Sequence, residues 1–210
     1  MINSISNKSN YNPNFGSTIR FSKLAYAKNL ALNAFNKTND IPYPWKIEQS
    51  KYLRLGHSED ASYCTMGVIK NSSGGGFMFH LRPGATRYNV IQENLQRAVE
   101  NLTQNAEKTL TGLLIGGSCE YKGSVELYQH LQSMFKELNI KYSAFLGQKE
   151  NKYLSSEPPF CNILFDGQND EYIICPFAKG NHKEQLNTLR DLYNYFKIVI
   201  IRKGDEIKFD

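Results

Sequence analysis

Several absences narrow what this 210-residue sequence can do. No run approaches the ~20 apolar residues that a membrane-crossing helix requires. Met1 to Thr18 carries too little apolar character for a secretory signal peptide. The expectation is a soluble chain, cytoplasmic as made and not inserted in a membrane, with a flexible tail over 1–18 and a single domain over 19–210. A polar terminus of this kind is also compatible with delivery into a host cell without a cleaved signal peptide. No block of like charge is present: 25 basic and 20 acidic residues give a net charge of +5. Nucleic-acid binders gather such charge into a stripe, so no nucleic-acid partner is expected. Neither G-x-x-x-x-G-K-[ST] nor G-x-G-x-x-G occurs, and no nucleotide or other cofactor is expected. Cysteine is scarce, at four residues, and Cys64, Cys119, Cys161 and Cys175 form no CxxC pair. They read as reduced thiols. His57, His80, His130 and His182 fall at no metal-ligand spacing, so no metal is expected. Nothing in the sequence speaks to oligomeric state.

What the chain does have is a core. Hydrophobic residues make up 40% of it, with 13 Tyr and 12 Phe among them. Apolar residues recurring at steps of three and four predict helices over Phe21–Lys37, Asn89–Thr109, Ser124–Leu138 and Lys183–Phe196. Short apolar and β-branched runs predict strands over Lys51–Leu55, Leu110–Ile115, Ile140–Leu146, Cys161–Phe165, Tyr172–Cys175 and Lys197–Ile201. Pro42 and Pro44 interrupt any helix between Ile41 and Trp45. Hairpins mixed with helical crossovers, without regular βαβ alternation, predict an α/β (α+β) fold: a layered sandwich of mixed β-sheet with flanking helices.

One stretch stands apart. Tyr63–Lys70 and Phe77–Leu81 read as two strands joined by Asn71-Ser72-Ser73-Gly74-Gly75-Gly76, a run suited to a hairpin loop. Cys64 then opens the first strand and His80 lies near the end of the second, where antiparallel pairing brings residues within reach of one another. A thiol is a weak nucleophile and a thiolate a strong one, so an imidazole that takes the proton makes Cys64 a candidate catalyst. The plainer alternative is a buried cysteine and an unrelated histidine. His57 is the rival base, expected in an exposed loop. Cys161 and Cys175 sit in apolar strands and read as core, and Cys119 as a turn residue.

The run Ser62-Tyr63-Cys64-Thr65, followed by Gly74-Gly75-Gly76-Phe77-Met78-Phe79-His80, resembles the catalytic segment of the cytotoxic necrotizing factor deamidases. It also looks like CheD, the chemoreceptor glutamine deamidase, whose motif places a Thr where Ser58 stands here. The similarity to CheD extends, less specifically, over about residues 50 to 177. Tyr63 departs from the pattern, which has Gly beside the nucleophile, and the departure bears on the width of the entrance.

That resemblance implies a CheD-like domain with an N-terminal helical extension, acting as a cysteine-dependent hydrolase that converts a glutamine side chain of a protein substrate to glutamate. Cys64 would be the nucleophile and His80 the general base and acid. Ser58 or a backbone carbonyl would orient His80, and the backbone N–H of Cys64 would be one oxyanion donor. It further implies a bacterial effector or toxin directed at a host protein, and so a virulence role. The alternatives are a CheD-type chemoreceptor deamidase, a thiol protease or transglutaminase, and a non-catalytic binding protein of the same fold. Recognition of the target is expected from the loops Asn71–Gly76, Leu81–Tyr88 and Gln148–Pro159.

Overall fold

A computed structural model describes residues 16–22, 39–40, 55–61, 63–104, 109–147, 161–176 and 196–209. Its strands in chain order are β1 (Thr18–Phe21), β2 (Asn39–Asp40), β3 (Leu55–Ala61), β4 (Thr65–Lys70), β5 (Gly76–Leu81), β6 (Thr111–Ser118), β7 (Lys141–Gly147), β8 (Cys161–Asp166), β9 (Glu171–Pro176), β10 (Phe196–Ile200) and β11 (Glu206–Phe209). Two helices are described, α1 (Tyr88–Thr103) and α2 (Lys122–Glu137). The strands form two sheets, ordered β11-β1-β9-β8-β3-β2 and β10-β7-β6-β4-β5. Both mix parallel and antiparallel pairs. A layered, mixed-sheet α+β architecture is therefore present.

Alternation along the strands of the five-stranded sheet sorts side chains into two cores. Met66, Val68, Met78, Leu113, Ile115 and Phe145 face the six-stranded sheet and pack with Ile19, Phe21, Ile163, Phe165, Tyr172 and Ile174. Their neighbours Ile69, Phe77, Phe79, Leu81, Leu114 and Ala144 face the other way, onto the two helices. Each such fully buried side chain contributes about 1.5–3 kcal/mol relative to exposure. Among the described residues the order of layers is sheet, sheet, helices.

Both helices lie on one side because of how the chain crosses over. β4 runs antiparallel to both β5 and β6, so α1 links two strands of like direction across the intervening β4. α2 then links β6 to its parallel neighbour β7. α1 buries Ile91, Leu95, Ala98 and Leu102, the stripe that the sequence predicts, and the described helix ends at Thr103. α2 buries Leu127, Tyr128, Leu131, Met134 and Phe135 and begins two residues earlier than expected. Its stop is legible in hindsight. Asn139 adopts a left-handed φ of 55°, Asn139 N–H donates to Lys136 O, and Ile140 N–H donates to Phe135 O at 2.8 Å. This is a Schellman closure with Asn in the place glycine usually takes.

Several expectations need correction. Phe21 is not the first residue of a helix but the last of β1, and Ser17 and Thr18 are built into the sandwich instead of belonging to a tail that reaches Thr18. Ser22 lies in no helix, and the remaining residues of the predicted helix, 23–37, fall outside the described residues. Of the strand expected at Lys51–Leu55 only Leu55 is described, and it opens β3, which runs on to Ala61. Gly116, Gly117 and Ser118 continue β6 beyond Ile115, where the expected strand ends. The predicted helix Lys183–Phe196 lies outside the described residues except for Phe196, which opens β10.

The hairpin loop between β4 and β5 packs against the turn between β8 and β9. A Cβ on Gly74 would sit 2.3 Å from Gly167 O, and one on Gly167 would sit 1.8 Å from Gly74 O. Two backbones meet here, and only glycine on both sides permits it. The loop closes the end of the sandwich remote from Cys64.

Candidate active site

β4 and β5 pair in the register Thr65 opposite Leu81, Met66 opposite His80 and Val68 opposite Met78. Residues directly opposite share a face, so His80 projects on the side of Met66 and Met78. Cys64 precedes β4 and packs in the inter-sheet core with Met66, Val68 and Met78. Cys64 and His80 therefore occupy one face of the sheet as diagonal neighbours, a relation with typical spacing of ~7–8 Å between backbones and less between side chains. The register thus places the two residues on one face of the hairpin.

Ser58 enters from the opposite sheet. Its Oγ lies 3.1 Å from His80 Nδ1, and both residues are 1% exposed. Ser58 lies outside every strand that the sequence pattern predicts. In the structure it sits inside β3, paired with Ile163 of β8. With a neutral serine at Nδ1, two tautomers are available. A base at Nε2 requires the one in which Nδ1–H donates to Ser58 Oγ. His57 belongs to β3 and pairs with Leu164, so its backbone is not in a loop as anticipated.

Two contacts fix the backbone on either side of the thiol. Ser124 Oγ donates to Tyr63 O at 2.5 Å, and Gly117 N–H donates to Cys64 O at 2.7 Å. Ser124 is fully buried in the first turn of α2. Gly117 reaches its position with φ +70°, in the left-handed region. Sequence reasoning missed both residues. Ser124 reads as a helix boundary, Gly117 follows the predicted strand Leu110–Ile115, and no local signal says that either meets Tyr63 or Cys64.

The site is nearly closed. Cys64 keeps 7% of its exposure, and Tyr63 beside it is 41% exposed. The Tyr63 ring meets Tyr121 edge-on with centroids 5.3 Å apart. A Cβ on Gly123 would sit 3.1 Å from the Tyr121 ring and 3.3 Å from Pro83 Cβ, so Pro83, in the loop after β5, lies at this end of the sandwich. The loop 148–160 lies outside the described residues. Among the other thiols, Cys175 is buried, as expected of a core side chain, and Cys119 is exposed in the turn after β6. The side chain of Cys161 lies outside the described residues.

Among the described residues, no group of three or more His, Cys, Asp or Glu is arranged to hold a metal ion, and no helix is long and apolar enough to cross a membrane. No protein-family model matches this sequence, and no curated protein matches it significantly.

Proposed function

We propose that this chain is a protein-glutamine deamidase of the CheD and necrotizing-factor kind, with Cys64 as nucleophile and His80 as its base. The observation that carries the reading is the shared face of Cys64 and His80, with Ser58 at the far nitrogen of the imidazole. A partly apolar setting such as this strengthens the attraction between thiolate and imidazolium.

In the reaction, His80 Nε2 takes the Cys64 proton and Sγ attacks the carbonyl carbon of the glutamine carboxamide. A C–S bond forms, and the π pair moves to oxygen. The oxyanion collapses, the C–N bond breaks, and the His80 proton leaves with ammonia. Water, losing a proton to His80, then attacks the thioester. The C–S bond breaks, glutamate departs, and the proton returns to sulfur. Ser58 holds the ring so that Nε2 faces the thiol through both half-reactions. The substrate is another protein carrying an accessible glutamine, and the resemblance in Ser62–Thr65 and His80 favours a host protein reached by a bacterial effector.

Intact-protein mass spectrometry of candidate targets tests the reading. Wild type adds ~1 Da per modified glutamine, as replacement of an amide nitrogen by oxygen requires, and Cys64→Ser and His80→Ala add none. Cleavage products or amine adducts would instead assign a protease or a transglutaminase. An unchanged biological effect of Cys64→Ser would assign a binding role.

A further inference from the structure

The geometry points to Ser124 as a positioning residue that aims the oxyanion donor at the reacting carbonyl. This rests on the deamidase reading of Cys64. A peptide unit is planar and, when trans, its N–H points opposite to its C=O. Ser124 Oγ holds Tyr63 O toward α2. The N–H on the same peptide unit, that of Cys64, is thereby turned away from α2. α2 packs on the helix-facing side of the five-stranded sheet, whereas Cys64 and His80 belong to the inter-sheet side. The Cys64 N–H is thus directed to the side on which sulfur and imidazole meet the substrate.

A second bond makes the setting rigid. Gly117 N–H on Cys64 O fixes the following peptide unit as well, so the nucleophile lies between two peptide planes that are each tied from outside the strand. A donor held in place before the reaction stabilises a developing oxyanion without reorganisation, and that is where most of its catalytic effect arises. Ser124 is the only one of these two anchors that acts through a side chain, so a substitution can remove it.

The test compares two reagents on the full-length protein. Iodoacetamide alkylates sulfur by displacing iodide from a saturated carbon, with no oxyanion. p-Nitrophenyl acetate acylates it: a C–S bond forms at the carbonyl, a tetrahedral oxyanion collapses, and p-nitrophenolate leaves with the electron pair. Ser124→Ala should slow acylation of Cys64 about 10-fold or more, less than the loss of a whole donor, and alter alkylation less than about 2-fold, since sulfur and His80 are untouched. Ser124→Thr, which keeps the hydroxyl, should restore the ratio of the two rates. An equal fall in both rates, or an unchanged ratio, overturns the proposal. Should Ser124→Ala fail to fold, Ser124→Cys replaces it: a weaker donor lowers the ratio, and an unaltered ratio again overturns the proposal. If wild-type Cys64 is labelled no faster than Cys119 and Cys175, the deamidase reading fails and this inference with it. If His80-dependent labelling persists while the ratio stays put, only the positioning role falls.

Discussion

Ser58 and His80 belong to different sheets, yet the hydroxyl of one and Nδ1 of the other lie 3.1 Å apart across the inter-sheet core. A neutral oxygen at this position can orient an imidazole but adds no charge to stabilise its protonated form. Ser58→Ala is expected to reduce Cys64-dependent turnover about 10-fold, on the order of one hydrogen bond. His80→Ala should reduce it at least ~100-fold, as loss of general acid and base catalysis does. Steady-state ammonia release measured for both variants checks the ranking. Equal losses would mean that Ser58 does more than hold the ring.

Gly117 offers a backbone counterpart. A Cβ there would stand 3.2 Å from Leu146 Cδ1 and 3.4 Å from Thr65 Oγ1, and φ is +70°. Gly117→Ala should therefore cost ~1–2 kcal/mol of stability from the left-handed conformation alone. It should also loosen the peptide after Cys64, slowing acylation more than alkylation. Urea unfolding paired with the two-reagent comparison measures both effects.

Tyr63 stands where the resembled deamidases have glycine. Because its ring is partly exposed and meets Tyr121 edge-on, Tyr63→Ala should cost little stability, about 0.5–1.5 kcal/mol for the lost aromatic pair. It should admit bulkier reagents to Cys64. The readout is the rate of labelling by a large maleimide relative to iodoacetamide. A ratio that does not rise would show that Tyr63 is not what narrows the entrance.

At the other end of the sandwich, Lys70 is buried beside Asp170, with its ammonium 5.8 Å from the centre of the Tyr172 ring. Burial first and the Arg202 charge second push it from 10.5 down to about 7, with Asp205 pulling the other way. Asp170 is 42% exposed, so water screens its hold on the ammonium. Below about pH 7 both folded and unfolded chains carry the proton, and the group adds no pH dependence. Between about 7 and 10.5 the unfolded chain binds a proton that the folded one lacks, so stability rises with pH, by at most ~1.4 kcal/mol per unit. Burial raises Tyr128 and Tyr172, and above their ordinary value of 10.0 the sign reverses as the unfolded chain ionises first. Thermal unfolding from pH 6 to 11 should therefore show a rise that turns over near pH 10, and Lys70→Met should flatten the rise. A wild-type curve already flat from 7 to 10 would contradict the account.

Much of this was legible along the chain, because strand and helix periods are local. The hairpin bearing Cys64 and His80, the amphipathic stripes of α1 and α2 and the buried run of β6 follow from which residues repeat at two and at three to four positions. β1 was not legible. Four residues, Thr18–Phe21, carry too little pattern to outweigh the helical spacing counted from Phe21, and only pairing with β9 and β11 makes them a strand. Ser58 failed for a related reason, since β3 takes its extent from β8 and β2 and not from its own composition.

The sequence by itself determined that Cys64 and His80 fall on consecutive strands of one hairpin, since the apolar runs on either side of Asn71–Gly76 and the turn residues between them are local signals. Tertiary structure alone decided what surrounds them. Packing one sheet on the other brought Ser58 to the imidazole, and docking α2 on the outer face brought Ser124 to the carbonyl beside the thiol. Both contacts join residues far apart in the chain, Ser58 to His80 across 22 positions and Tyr63 to Ser124 across 61. Separations of that kind leave no periodic trace, because they are set by how layers stack and not by how any one segment is patterned.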